Sequence, residues 1–294
     1  MRSTKLGVGM TQHGASIGLE IPAQCPTVQG RVNYVAAMSG RARYFANDHS
    51  RDNLQLDSRT IAIADRRATR DQPALTREGF QLVAHRSQVA NFRDPEQIAS
   101  VHVAEIERLL LDLSGAHRVV VNPMGVLRFG ESSPDAGKLN NSYPARFIHI
   151  DLSDPTAAQF AQRSQPKDVT GRVRRFAHYN VWRVLTPPPQ DIPLAVCDAR
   201  SIQEADRMVA DAVFDTPGQP EWSFEGLVVH HNPEHRWSYF SNMTRDEALV
   251  FKTNDSDPSQ PHDVPHTAFD DPSCPKPVPT RMSIEMRGIA YWLE

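Results

Sequence analysis

The sequence predicts a mainly β protein with some helix (α+β), built on a jelly-roll-type double sheet with an N-terminal helical region. Three observations lead there. Short segments that alternate apolar and polar residues fill the chain after about residue 143. Proline-rich turns separate them, at Pro187-Pro188-Pro189, Asn232-Pro233, Asp257-Pro258 and Asp271-Pro272. One strong helical pattern precedes them, and many short strands behind a helical lead-in are the pattern of a double sheet.

Residues 1–28 are rich in Gly, Thr, Gln and Pro without periodicity and are expected to form a loosely ordered extension. Residues 29–294 are expected to be a single domain, a size that all-β folds reach undivided. Thr60–Ala64 and Phe80–Val83 read as strands. The best helix is roughly 95–113, where Asp94 caps, Pro95 suits the first position and Gln97 completes a capping box. Ile98, Val101, Leu109, Leu110 and Leu113 give it an apolar face, and Gly115 ends it. Val119–Val121 reads as a buried strand. Alternation then marks Arg146–Leu152, Gly226–His231, Trp237–Ser241, Ala248–Thr253 and Met282–Ile289, and residues 153–172 and 254–265 read as loops.

Composition excludes several classes. A net charge of −3 gives no reason to expect nucleic-acid or membrane binding. No stretch approaches the roughly 18 apolar residues of a membrane span. Polar Thr11, Gln12 and His13 stand where a signal peptide needs an apolar run. Cys25, Cys197 and Cys274 are widely spaced with no CxxC, so free thiols in a reducing cytoplasm are expected, and an iron–sulfur or structural zinc site is not.

His149 and Asp151 form the only His-x-Asp/Glu in the chain. Residues two apart on a strand share a face, so both point inward from Arg146–Leu152, with Ile148, Ile150 and Leu152 behind them. Two His and one carboxylate can hold Fe(II) and leave adjacent positions open for a keto acid and O₂. With 12 His and 35 acidic residues, one such pair is no excess over chance, so the third ligand matters. His262 and His266 are the candidates. His266 is preferred because Arg281-Met282-Ser283 follows it at the spacing of a pair that grips the far carboxylate of 2-oxoglutarate. Glu285 and Arg287 continue that strand face and are expected to pair with each other in solvent. Asn180 and Arg183 fit either a pocket lining or a buried polar network. Strand alternation puts Tyr179, Val181 and Arg183 on one face, with His178, Asn180 and Trp182 on the other.

The remaining constellations read as structural. Cys197 is expected to be a buried inert thiol. His230, His231 and His235 read as a surface hairpin. Trp222, Phe224, Trp237, Tyr239 and Phe240 read as core or pocket wall, and Thr244–Glu247 as a capped turn.

From about residue 30 to its end the chain resembles the cephamycin-methoxylation-component-like oxidoreductases. The matching stretches are Arg77-Glu78-Gly79-Phe80 with Val83, His85, Ser87 and Val89; Asn180-Val181-Trp182-Arg183; Leu194-Ala195-Val196-Cys197-Asp198; Pro265 to Pro272; and Arg281 to Arg287. The resemblance implies a double-stranded β-helix and an Fe(II)/2-oxoglutarate-dependent oxygenase acting with O₂ on a small molecule in secondary metabolism. It implies His149, Asp151 and His266 as iron ligands, and Arg281 and Ser283 as cosubstrate-binding residues. Val184 stands where that family has Pro, and Met282 where an acidic residue is common; neither touches a proposed ligand. Two rivals share these features: a ferrous oxidase that does not use 2-oxoglutarate, and a non-catalytic accessory protein of a two-component system. A homodimer is compatible with the sequence.

Overall fold

The computed structural model describes residues 25–167 and 171–294. Its strands in chain order are β1 (Thr27–Val35), β2 (Ala42–Phe45), β3 (Leu56–Asp65), β4 (Phe80–Ala84), β5 (Arg118–Val121), β6 (Val126–Phe129), β7 (His149–Ile150), β8 (Val173–Val184), β9 (Leu194–Cys197), β10 (Arg207–Phe214), β11 (Trp222–Val229), β12 (Trp237–Tyr239), β13 (Glu247–Asp255), β14 (His266–Ala268) and β15 (Met282–Leu293). They form two sheets. One has nine strands in the order β1-β3-β12-β9-β14-β7-β11-β10-β2; the other has six, β4-β13-β8-β15-β5, with β6 also on β15. This is the expected double-stranded β-helix.

Three apolar layers follow from strand alternation. Trp182, Val184, Leu194, Val196, Leu249 and Phe251 fill the space between the sheets. Ile148, Ile150, Ala195, Cys197, Leu227 and Val229 cover the other face of the nine-stranded sheet. Tyr179, Val181, Val250, Ile284 and Met286 form the outer face of the six-stranded sheet, where Ile106 and Leu110 of a helix pack. That helix enters through a short turn, α1 (Pro95–Gln97), and one π turn, Ile98–His102, before α2 (Val103–Ser114). Gly115 ends it in the left-handed region, φ 64°. The expected cap is present, since Asp94 accepts from the Glu96 N–H. Gln97 does not close a box. Its Oε1 accepts from Ala90 and Asn91 N–H while its Nε2 donates to Asp94.

Several expectations need correction. β1 begins at Thr27, so sheet structure starts inside the stretch read as an extension, and residues 1–24 of that stretch lie outside the described residues. The strand read over Arg146–Leu152 reduces to His149–Ile150, because only there do β11 and β14 flank it. The loop read over 153–172 contains α3 (Asp154–Ser164), capped by Ser153, which accepts from Thr156 N–H, with Pro155 in its first turn. Trp222 is 52% exposed rather than core; it stacks on Phe214 at 4.4 Å. His235 is buried, bonded to Asp206 and Tyr34, so the histidine cluster is not a surface hairpin.

Gly226 on β11 sets how near that strand comes to β7. A Cβ there would lie 2.9 Å from the Asp151 carbonyl oxygen and 3.2 Å from that of Ile150. Backbone cannot move aside as a side-chain tip can. Gly226→Ala is expected to destabilise the fold by about 1–3 kcal/mol, read from the midpoint of chemical denaturation. An unchanged midpoint would show that the close approach is not required.

Candidate metal centre

β7 lies between β11 and β14, and His149 pairs directly with His266 across β7 and β14. Directly opposed residues project from the same face, so both imidazoles enter the space between the sheets. Their ring centroids are 4.2 Å apart. Asp151 follows two residues after His149 on the same face.

Hydrogen bonds fix the rings. His149 Nδ1 donates to Phe147 O at 3.1 Å, and His266 Nδ1 donates to Val264 O at 3.2 Å. A carbonyl only accepts, so each Nδ1 carries a proton and each Nε2 is the ring atom turned to the centre. Both Nε2 atoms face one oxygen, Asp151 Oδ1, at 3.5 Å from His149 and 3.8 Å from His266. Ligands at right angles around a metal at about 2.1 Å stand about 3 Å apart. The three atoms are therefore slightly spread from that spacing, and the donor set suits a divalent cation.

The other oxygen of Asp151 is occupied by the opposite sheet. Asn180 Nδ2 donates to Oδ2 at 2.7 Å, and Arg287 Nη2 lies 3.3 Å from it. Burial opposes ionisation of Asp151, yet Arg287 and the two imidazoles hold its carboxyl well below the usual carboxylate range. Burial, then the neighbouring His149, pulls His266 down to about 3. The centre thus presents two imidazole Nε2 atoms, that of His266 held neutral, and one carboxylate.

Ser283 lies on the interior face of β15, away from Ile284 and Met286, and Arg281 immediately precedes the strand. Arg281 is 1% exposed. Its Nη1 donates to Ile192 O at 2.9 Å and its guanidinium sits 5.7 Å over the Trp182 ring. Among the described residues no carboxylate pairs with it, and its Nε is buried without a partner, as is Ser283 Oγ. Burial, then Arg128 and Arg146, pulls the Arg281 pKa down to about 9, so it remains a cation near neutrality. A buried cation beside an unsatisfied hydroxyl suits an anion with two or three acceptor atoms.

Glu285 and Arg287 pair as expected, at 2.9 Å, but Glu285 is buried and Arg287 half-buried at the cleft rather than both in solvent. Of the two readings left open for Arg183, the geometry matches the buried polar network and not the pocket lining. Arg183 shares the outer face with Tyr179 and Val181, and Nη1 donates to His85 O at 2.8 Å. It therefore belongs to a buried polar network with His85 and Arg245, and the fold does not bring it to the centre. Asn180, on the opposite face of β8, reaches the centre through Asp151. The contact of Arg287 with Asp151 and the place of Arg128 on the adjoining cleft escaped sequence reading, although Arg287 continues the Arg281–Ser283–Glu285 face.

A second grouping, Asp154, His262 and Asp263, lies at the start of α3 and in the loop before β14. Asp263 is already paired with Arg207, which lowers its value as a ligand.

Two packed sheets with a buried His/Asp/His group between them define a double-stranded β-helix protein with a candidate facial-triad metal centre. Residues 32–291 match the family described as oxidoreductase/YMDC permease-like domain, and the chain belongs to that family. Among the described residues no helix is long and apolar enough to cross a membrane. Hydroxylase/desaturase efuI of Hormonema carpetanum is 29% identical, over 92% of this chain and 96% of its own. Fe(II)/2-oxoglutarate-dependent dioxygenase nvfI of Aspergillus novofumigatus is 27% identical, over 81% of this chain and 85% of its own. The solved structure of the iron and alpha-ketoglutarate-dependent endoperoxidase NvfI superimposes with a TM-score of 0.74 at 22% identity, over 93% of this chain and 100% of that one, and shows the same fold.

Removing the unpaired cation is expected to stabilise the ligand-free protein. Arg281→Met should raise its stability by about 1–3 kcal/mol. A midpoint of denaturation at or below that of the wild type would show that the guanidinium has a partner after all.

Proposed function

We propose that this chain is an Fe(II)- and 2-oxoglutarate-dependent dioxygenase that oxidises a C–H bond of a small organic molecule in secondary metabolism. Hydroxylation, desaturation and ring formation are the outcomes open to that chemistry. The observation that carries the reading is the convergence of His149 Nε2, His266 Nε2 and Asp151 Oδ1, with Arg281 buried nearby without a counter-ion. His149, Asp151 and His266 would hold the iron, and Arg281 with Ser283 would bind the far carboxylate of 2-oxoglutarate. When bound, iron and the keto acid supply the oxidising power with O₂.

The chain's own residues do the rest. Asn180 and Arg287 hold Asp151 in one orientation, leaving Oδ1 for the metal. The Nδ1 bonds of the two histidines fix the rings with Nε2 aimed at the centre. The apolar layer between the sheets excludes water from one side of the centre. A cleft lined by Phe147, Phe214 and Phe224 opens beside His149 and Asp151 and would receive the substrate. The reading assigns catalysis to one domain, residues 29–294, and the family match over residues 32–291 supports it. Cys25, Cys197 and Cys274 are all free, which supports a reducing cytoplasmic setting.

Anaerobic titration with Fe(II) and then 2-oxoglutarate tests this. A weak visible charge-transfer band of a chelated keto acid is expected in the wild type. His149→Ala, Asp151→Ala and His266→Ala should abolish metal binding with the fold retained, and any one that keeps full metal affinity removes that residue from the ligand set. Asn180→Leu should weaken metal binding by about 10–100-fold. Arg281→Ala should lose the band with iron still bound; a normal 2-oxoglutarate affinity there would assign Arg281 to the substrate's own carboxylate instead.

A further inference from the structure

Three guanidinium groups face the interior from the six-stranded sheet and its β6 extension. Arg287 is paired with Asp151 and Glu285, and Arg281 is enclosed. Arg128 fits neither description. It sits on β6 directly opposite Ser283 of β15, so it projects into the same space. It lines the cleft beside His149, Asp151 and Arg287.

Its hydrogen bonds are one-sided. Nη1 alone donates to Asn141 O at 3.2 Å, Asn141 Oδ1 at 3.0 Å and Tyr143 O at 2.7 Å. These bonds anchor one arm of the fork and leave Nε and Nη2 without a partner among the described residues. No described carboxylate lies within ion-pairing distance. The two that act on it from further away are Glu285 and Asp151, both already engaged by Arg287.

The carboxylates near this cluster are engaged elsewhere. Asp151 and Glu285 are held by Arg287, and Glu131 and Asp191 act on Arg281, so none is left to pair with Arg128. Ferrous iron and doubly ionised 2-oxoglutarate carry equal and opposite charge, so loading the site brings Arg128 no counter-ion. An unmatched, half-buried cation at the edge of a cleft calls for an anion. His49, Asn141 and the paired Arg287 also line the cleft, and its remaining walls are aromatic: Phe147 packs 4.8 Å from Tyr44, and Phe214 stacks on Phe224 at 5.4 Å.

We infer that Arg128 is the substrate anchor and that the substrate is a largely apolar molecule carrying a carboxylate. The inference rests on the proposed iron and 2-oxoglutarate site. Arg128 takes the substrate carboxylate with its free Nε and Nη2, the aromatic walls take the body of the molecule, and the bond to be oxidised is thereby held at a fixed distance from the His149–Asp151 pair.

The test compares naphthoate with naphthamide, two probes of one shape and different charge. Each is titrated into anaerobic Fe(II)- and 2-oxoglutarate-loaded protein and followed by calorimetry. Naphthoate is expected to bind about tenfold tighter or more. Arg128→Gln should bring the two within about threefold with the keto-acid band unchanged, and Arg128→Lys, which keeps the charge, should retain part of the preference. Equal affinities in the wild type, no binding of naphthoate, or a preference that survives Arg128→Gln would each overturn the inference. So would loss of the band in Arg128→Gln, which would move Arg128 to the cosubstrate. Absence of the band in the wild type counts instead against the iron reading, and the naphthoate comparison on that protein still decides the role of Arg128.

Discussion

Asp151 has two carboxylate oxygens, and the fold uses them for different purposes. Oδ2 is held by Asn180 of β8 and Arg287 of β15, both on the six-stranded sheet. Oδ1 faces His149 and His266, both on the nine-stranded sheet. One side chain thus ties the two sheets together at their centre and points its remaining lone pairs at the two imidazoles. A buried carboxylate without such partners would have to neutralise or leave the interior. Arg287 keeps it ionised, and an ionised, pre-oriented carboxylate between two Nε2 atoms is a metal ligand set in waiting.

Among the described residues the same interior holds two guanidinium groups with no carboxylate partner. Arg281 is enclosed, and Arg128 is open to the cleft. Both would be costly in a protein with no ligand, since an unpaired buried charge destabilises by several kcal/mol on the order of magnitude seen for broken buried pairs. Their positions differ in a useful way. One lies deep beside Ser283 and suits a small dianion bound end-on. The other stands at the aromatic mouth and suits a larger molecule. The stability given up at both points is the kind of cost that functional sites carry.

Much of this could be read from sequence, and the limits have physical causes. Strand alternation placed His149 and Asp151 on one face and Asn180 opposite Arg183, because a period of two is local information. Alternation also separated Arg281 and Ser283 from Ile284 and Met286. It could not say which strand lies beside which. The pairing of His149 with His266, the reach of Arg287 to Asp151 and the placement of Arg128 opposite Ser283 all depend on register between segments more than a hundred residues apart, as β7 and β14 are. Residues 154–164 escaped as a helix because their apolar face is mostly Ala, although Ser153 and Pro155 were start signals. The solvent placement of Glu285 and Arg287 failed because β15 is central, flanked by β8, β5 and β6, and not an edge strand.

The most direct measurement is a crystal structure with Mn(II) in place of Fe(II) and with 2-oxoglutarate, the metal located by its anomalous signal. The expected result is one peak bonded to His149 Nε2, Asp151 Oδ1 and His266 Nε2, with the far carboxylate of the keto acid on Arg281 and Ser283. A peak at Asp154, His262 and Asp263 with none between the sheets, or a keto acid held by Arg128 rather than Arg281, would contradict the account.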